Sequence, residues 1–240
     1  MTRPKLTLYI GNRNYSSWSL RPWILARHLG LEFEERLIPL DQPDSAARIR
    51  AVNPAGRVPA LRCGDTLVWE SIAIGETLCE LAGRGLPADP ALRALARSVS
   101  AEMHAGFTAL RTQWPMNARA TGRRTAMNSA LAQDIQRIAT LWRDCRGRCA
   151  DAGPWLFGHY SLADAMYAPV VLRFRTYGAQ VLPQAHQYMA TVLADTHLGE
   201  WLAAAAAEPW TLAREEVGAS AGAGPNGGRA PGGEPVSGPS

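Results

Sequence analysis

Two stretches of this chain have residue types and spacing that chemistry can use. The longer one is residues 53–71: it opens with turn residues at Asn53-Pro54-Ala55-Gly56, continues as a short apolar run broken at Val58-Pro59, and reverses at Cys63-Gly64-Asp65-Thr66 into Leu67-Val68-Trp69. That pattern is a loop feeding a β-hairpin. Pro59 has no N–H for a ladder and so marks a strand start or an edge. A Pro in a tight loop also favours a cis bond, which turns the preceding N–H and C=O outward, open to a guest peptide. Glu70-Ser71 then starts an apolar-periodic run, Ile72, Ile74, Leu78 and Leu81, placing Ser71 about where an N-cap would stand. An exposed helix N-terminus binds anions. One loop thus offers an open backbone edge and, beside it, carboxylate-binding N–H groups. The second stretch is Tyr15-Ser16-Ser17-Trp18-Ser19-Leu20-Arg21-Pro22-Trp23, where hydroxyls cluster at the start of a second apolar-periodic run.

The elements that would carry these residues follow from periodicity. Leu6 to Ile10 is a short β-rich run ending at Gly11-Asn12-Arg13-Asn14. Ile24, Leu25, Leu29 and Leu31 then have helical spacing, with Ser17 or Ser19 able to cap, Pro22 expected in the first turn, and Gly30 as the stop. Glu35 to Leu40 is a second strand, and Asp44 to Ala51 a polar helix. The order is a βαβ unit followed by a ββα unit ending near Ala82. Residues 84–90 have a linker's composition. Beyond them the β pattern gives way to helices: about Ala91 to Gln113, stopped by Pro115; about Arg123 to Ala150; Ser161 to about Tyr177; a shorter one after Pro183; and Leu198 to Ala207. The expected division is therefore an α/β domain over 1–83, the linker 84–90, an all-α domain over 91–213, and a Gly/Ala/Pro/Ser-rich tail over 214–240, expected to be disordered.

Composition narrows the function classes. The 240 residues suffice for one large domain or two small ones with real cores. No apolar run approaches the roughly 18 to 20 residues that span a bilayer, and the start, Met1-Thr2-Arg3-Pro4-Lys5, lacks signal-peptide features, so a cytoplasmic protein without a membrane partner is expected. The formal charge is +4, carried almost entirely by scattered arginines with no basic block beyond Arg123-Arg124, which argues against a nucleic-acid partner. Cys63, Cys79, Cys145 and Cys149 fit no metal or redox spacing and the histidines are isolated, so no metal is expected.

In order along about Lys5 to Trp210, three features resemble the cytosolic glutathione S-transferases, in particular the zeta-like and related bacterial classes that use a serine motif. They are Ser16-Ser17-Trp18-Ser19-Leu20-Arg21 at the first strand-helix elbow, Val58-Pro59 with Glu70-Ser71, and Ser161-Leu162-Ala163-Asp164 after Gly158-His159-Tyr160. The resemblance implies a thioredoxin-like N-terminal domain, an all-helical C-terminal bundle, glutathione as co-substrate, a small-molecule electrophile as partner, detoxification chemistry and a homodimer. It assigns the thiol partner to Ser17 or Ser16, with Ser17 preferred, and glutathione contacts to Trp18, Ser19, Arg57, Val58, Pro59, Glu70 and Ser71. Val58 would pair with the cysteinyl backbone like an added strand; Glu70 would meet the γ-glutamyl ammonium and Ser71 its carboxylate. Phe107, Arg111 and Trp114, with Met103 and Met116, would wall the acceptor site, although the same spacing also suits packing between helices. Arg111, Arg173 and Arg175 could draw an anionic acceptor or simply be solvated helix-face charges, the second being the ordinary reading for each arginine alone. Ser161 and Asp164 have the spacing of a capping box and a structural role.

The chemistry suits those residue types. A free thiol has a pKa of about 8.5, so little thiolate exists at neutral pH. A hydroxyl donating to sulfur from a helix N-terminus, helped by the helix dipole, stabilises the anion. Two features depart from the family pattern. Trp18 stands where a zeta-type isomerase carries Cys, which argues against isomerisation of maleylacetoacetate, and the elbow has no Cys for the mixed disulfide of an omega-type thiol transferase. The expected activity is attack of glutathione thiolate on a small electrophile or a hydroperoxide; the alternatives are a non-catalytic glutathione-binding or protein-interaction module of the same fold, and a disulfide reductase that would need a sensitive Cys.

Overall fold

The computed structural model describes residues 4–149 and 152–218. Strand β1 (Leu6–Ile10) carries a buried apolar run and sits inside the sheet, which has the order β2-β1-β3-β4. Its parallel neighbour β2 (Glu34–Leu37) returns through helix α1 (Ser17–His28), the expected crossover. Helix α2 (Ser45–Val52) leads to the loop before β3 (Ala60–Cys63), which pairs antiparallel with β1 and with β4 (Thr66–Trp69). Helix α3 (Ser71–Ala82) follows at once and stops at Gly83, whose left-handed φ of 64° suits the αL helix stop. The second strand is shorter than the run Glu35 to Leu40 suggested, because Ile38 makes only one further sheet contact, from its N–H to the Ile10 carbonyl.

All remaining described elements are helical: α4 (Pro90–Ala105), α5 (Thr108–Gln113), α6 (Ser129–Gly147), α7 (Leu162–Tyr177), α8 (Pro183–Leu193), α9 (Thr196–Ala206) and a 3-10 turn, Ala213–Glu215. The architecture is thus the expected thioredoxin-like α/β domain joined to an all-α bundle. Among the described residues no helix is long and apolar enough to cross a membrane. The long helix expected up to Gln113 is broken at Gly106-Phe107, where Phe107 takes a left-handed φ of 56°. Helix α6 starts at Ser129 and not near Arg123, because Asn128 caps it through the Leu131 N–H at 2.9 Å and Arg123 is bonded elsewhere. Pro22 lies in the second turn of α1 and not in the first; having no N–H, it leaves the Trp18 carbonyl without its intrahelical donor.

One apolar cluster runs through both domains. Helix α1 packs on α3 and α7, and α7 packs on α4. At Gly75 the fit is closest: a Cβ there would come within 2.4 Å of Leu162 Cδ1, so only Gly lets α3 lie against the start of α7.

The chain after α9 folds back onto the first domain. The Glu208 carboxylate accepts from the N–H groups of Arg13 (2.8 Å) and Asn14 (3.1 Å). Glu216 accepts from the Tyr15 hydroxyl (2.7 Å) and Asn117 Nδ2 (2.8 Å) and pairs with Arg123. Arg119 ties the Glu208 and Trp210 carbonyls to the same strap. Residues 214–218, expected to belong to a disordered tail, are therefore packed against the β1–α1 elbow; residues 219–240 lie outside the described residues.

Candidate functional site

The elbow between β1 and α1 is held from within by hydroxyls. Ser16 caps α1, accepting from the Ser19 N–H at 3.3 Å, and its Oγ pairs with Ser19 Oγ at 2.7 Å. Ser19 Oγ also accepts from the Gly11 N–H at 3.0 Å and is fully buried. Ser19, expected at the peptide ligand, thus locks the elbow instead. Ser17 Oγ accepts from Arg173 Nη2 of α7 at 3.1 Å, and among the described residues no acceptor takes its O–H. The Ser17 O–H is thus uncommitted, whereas Ser16 shares its hydroxyl bond with Ser19, either oxygen being able to donate. Both serines are buried, and neither lines the adjacent cleft; Trp18 is the elbow residue that does.

That cleft has a volume of about 570 Å³ and is lined by Trp18, Arg57, Val58, Pro59, Glu70 and Ser71 of the expected set. Asn53, Trp69, His104, Ala105 and Arg111 complete it. The Val58-Pro59 bond is cis. Asn53 shapes the loop in front of it, donating from Nδ2 to the Arg57 carbonyl at 2.8 Å and accepting from the Ala55 N–H at 3.1 Å. Glu70, at φ +67°, turns the chain sharply from β4 into α3. Such a backbone in a non-Gly residue costs on the order of 1 kcal/mol and is found at functional sites. No side chain caps α3, whose first residue, Ser71, is buried with its Oγ 3.5 Å from Arg21 Nη1. The open first turn and the guanidinium behind it form an anion-binding end.

The acceptor wall differs from the expectation. Phe107, Met103 and Met116 are buried in the core, and Trp114 is buried between Phe174 and Tyr177 with its Nε1 donating to Thr125 Oγ1 at 2.7 Å. Only Arg111 of that set lines the cleft, joined by His104 in the last turn of α4 before the break. Arg173, expected to be solvated, is buried; its Nε donates to the Trp114 carbonyl at 2.8 Å, and burial lowers its pKa to about 10, leaving it charged at neutral pH. Arg175 is half-buried on the Ala118 carbonyl. Two cations stand close to the Trp18 indole: Arg21 Cζ lies 4.2 Å and Arg111 Cζ 5.4 Å from its ring centroid. His104 meets the same indole edge-on at 5.4 Å. Burial, followed by the charge of Arg21, lowers the pKa of His104 despite Glu70 at 3.5 Å, so the imidazole is neutral at physiological pH. A lone His on a helix gave no sequence signal for this role; it is placed by the helix break after it.

Ser161 and Asp164 form the reciprocal cap of α7. Asp164 accepts from the Leu156 N–H (3.0 Å), the Ser161 N–H (2.9 Å), Ser161 Oγ (2.8 Å) and the Tyr188 hydroxyl (3.1 Å). Burial nevertheless raises its pKa to about 6. Burial raises the thiol pKa values of Cys79 and Cys145 to about 12; no cysteine lines the cleft, so the disulfide-reductase alternative has no thiol there.

Models of the glutathione S-transferase N-terminal and C-terminal domains match residues 15–81 and 128–205, together more than half of the chain. The chain belongs to the glutathione S-transferase family. Among curated relatives, it is 26% identical over 162 residues to glutathione S-transferase L1 of Arabidopsis thaliana, covering 65% of this chain and 62% of the relative. It is 30% identical over 112 residues to a probable maleylacetoacetate isomerase of Caenorhabditis elegans, covering 46% and 51%. The matches therefore span less than two thirds of either relative. The fold is that of a Burkholderia glutathione transferase homologue with bound glutathione (TM-score 0.61, 24% identity, 85% of this chain and 100% of that one). An omega 2S glutathione transferase from Trametes versicolor shares it too (TM-score 0.63, 20% identity, 86% and 98%).

Proposed function

We propose that the protein is a glutathione transferase that binds glutathione in the cleft along Val58-Pro59 and presents its thiolate to a small electrophile. The observation that carries this reading is the cleft itself, where a cis-Pro backbone edge runs from the open N-terminus of α3 toward the elbow of α1. The cysteinyl backbone pairs with Val58, the γ-glutamyl carboxylate takes the first turn of α3 and Ser71 with Arg21 behind it, and the ammonium meets Glu70. The sulfur lies toward the α1 N-terminus and receives the Ser17 O–H. Arg173, donating to the same oxygen, leaves that proton free to point at sulfur and adds a positive field. The cleft touches Trp18 and not Ser17, so this reading requires the indole to move aside when the peptide enters. The thiolate attacks the electrophilic carbon, a C–S bond forms, and the leaving group departs with the bonding pair; an acceptor without a leaving group takes up a proton instead. A cytoplasmic homodimer is part of the same reading and rests on family membership alone.

The test pairs glutathione calorimetry with initial rates against a panel of electrophiles. Binding together with turnover that drops on Ser17→Ala supports the reading. Binding without turnover, indifferent to Ser17→Ala, assigns the chain to the non-catalytic module.

A further inference from the structure

Three guanidiniums meet where the domains join, and among the described residues none of them forms an ion pair with a carboxylate. Arg21 is almost wholly buried under Trp18, with Nε and Nη2 lacking any hydrogen-bond partner. Arg173 is fully engaged with Ser17, Trp114 and Pro169 oxygens, all uncharged. Arg111 donates only to the His104 carbonyl (2.9 Å) and Thr108 Oγ1 (3.4 Å). The charges oppose one another: Arg173 and Arg111 both act on Arg21, and Arg111 acts on Arg173. Counter-charges are sparse: Asp134 acts on Arg111 and Glu215 on Arg173 without forming an ion pair, Asp134 also accepting from the Leu110 N–H at 2.9 Å, and Glu70 lies 3.5 Å from the neutral His104. Buried cations without ion-pair partners are costly; Arg21 and Arg173 are buried, the half-buried Arg111 adds its charge to theirs, and the cluster favours anions from a ligand.

Glutathione carries two carboxylates and a thiolate. On the reading proposed above, its γ-glutamyl carboxylate lies beside Arg21, its thiolate beside Ser17 and Arg173 and its ammonium beside Glu70, while its glycyl carboxylate lies at the opposite end of the extended peptide, past Val58, where Arg57 lines the cleft. Arg111 remains without an ion pair, on the wall of the cleft that the helical domain contributes, its Cζ 5.4 Å from the Trp18 ring centroid. We infer that the acceptor carries a carboxylate, or an oxyanion of that size, and that Arg111 grips it across Trp18. The fork of Arg111 takes the two oxygens, and the apolar body of the acceptor lies on the indole with its electrophilic atom toward sulfur. This inference rests on glutathione occupying the cleft.

The test uses 4-(bromomethyl)benzoate and its methyl ester, which share a leaving group and differ in the anion, on the full chain. After subtraction of the uncatalysed rate, the carboxylate is expected to have a kcat/KM about tenfold or more above the ester's, the effect of a charge-assisted bidentate contact. Arg111→Met should bring the ratio near one while changing glutathione affinity and the bound thiol's pKa little; Arg111→Lys should keep part of the preference. Benzoate should inhibit competitively against the acceptor and not against glutathione. Equal use of the two acceptors by the native protein overturns the inference, as does a preference that survives Arg111→Met. A rise in the bound thiol's pKa in Arg111→Met also overturns it, by assigning Arg111 to sulfur. Absence of glutathione binding by calorimetry overturns the underlying reading as well, which separates the two failures.

Discussion

Helices α3 and α7 both begin beside a serine, and the second turn of α3 lies against the start of α7 through Gly75 and Leu162. At α7 the start is closed: Ser161 and Asp164 cap each other, and the Asp164 carboxylate takes four donors with no polar atom left over. At α3 it is open: no side chain caps the helix, the residue before it is held at positive φ, and a guanidinium with unpartnered nitrogens stands behind Ser71. The closed terminus has nothing to offer a ligand and reads as scaffold. The open one keeps unmet hydrogen-bonding capacity and positive potential facing a cleft, at a cost in stability that binding would offset. In this molecule, satisfied and unsatisfied helix starts separate structure from site more sharply than residue type does.

Removing Asp164 should break the closed side hardest. Asp164→Ala strands buried donors at Leu156, Ser161 and Tyr188, and is expected to cost about 3 kcal/mol of unfolding free energy by denaturant titration. The glutathione affinity of the molecules that fold should be unchanged; a selective loss of binding would blur the distinction between the two termini. The pH dependence sharpens the same point. The folded Asp164 carboxyl titrates at about 6 against an ordinary 3.8, so its proton is held more tightly in the native state. Its contribution is fully present below pH about 4 and is lost as pH rises to about 6, by up to roughly 3 kcal/mol. The native-minus-Asp164→Asn difference in stability should therefore fall across that window, and a flat difference would contradict the raised value. On the open side, Ser17→Ala is expected to raise the pKa of bound glutathione by up to about two units, seen in thiolate absorbance, and to lower kcat/KM near pH 7 by about a hundredfold. Ser71→Ala should weaken glutathione binding by about tenfold in calorimetry and leave the unfolding midpoint nearly unchanged.

Much of this was legible in local sequence because it depends on local physics. The cis-Pro edge, the hairpin, the capping box and the β-then-α division each follow from residues within a few positions of one another. The roles of Ser19 and Trp114 were not legible, since Ser19 is claimed by Gly11 and Ser16, and Trp114 by the rings of α7. Both outcomes depend on which face of an element turns inward. Arg173 misled for the same reason: an arginine in a helix looks solvated until the helix proves to be enclosed by its neighbours. His104 and Arg111 reach the cleft only because the chain breaks at Gly106-Phe107, a left-handed turn that periodicity runs straight through.

The strap that follows α9 has a consequence for how the protein is made. The loop presenting Ser16 and Ser17 is fastened by Glu208 and Glu216, 195 and 201 positions downstream of their partners Arg13 and Tyr15. A nascent chain whose final helix is still inside the ribosome has its first βαβ unit outside but lacks the clasp that steadies its serines. The elbow is then steadied only after a segment about 200 residues downstream of it has been made.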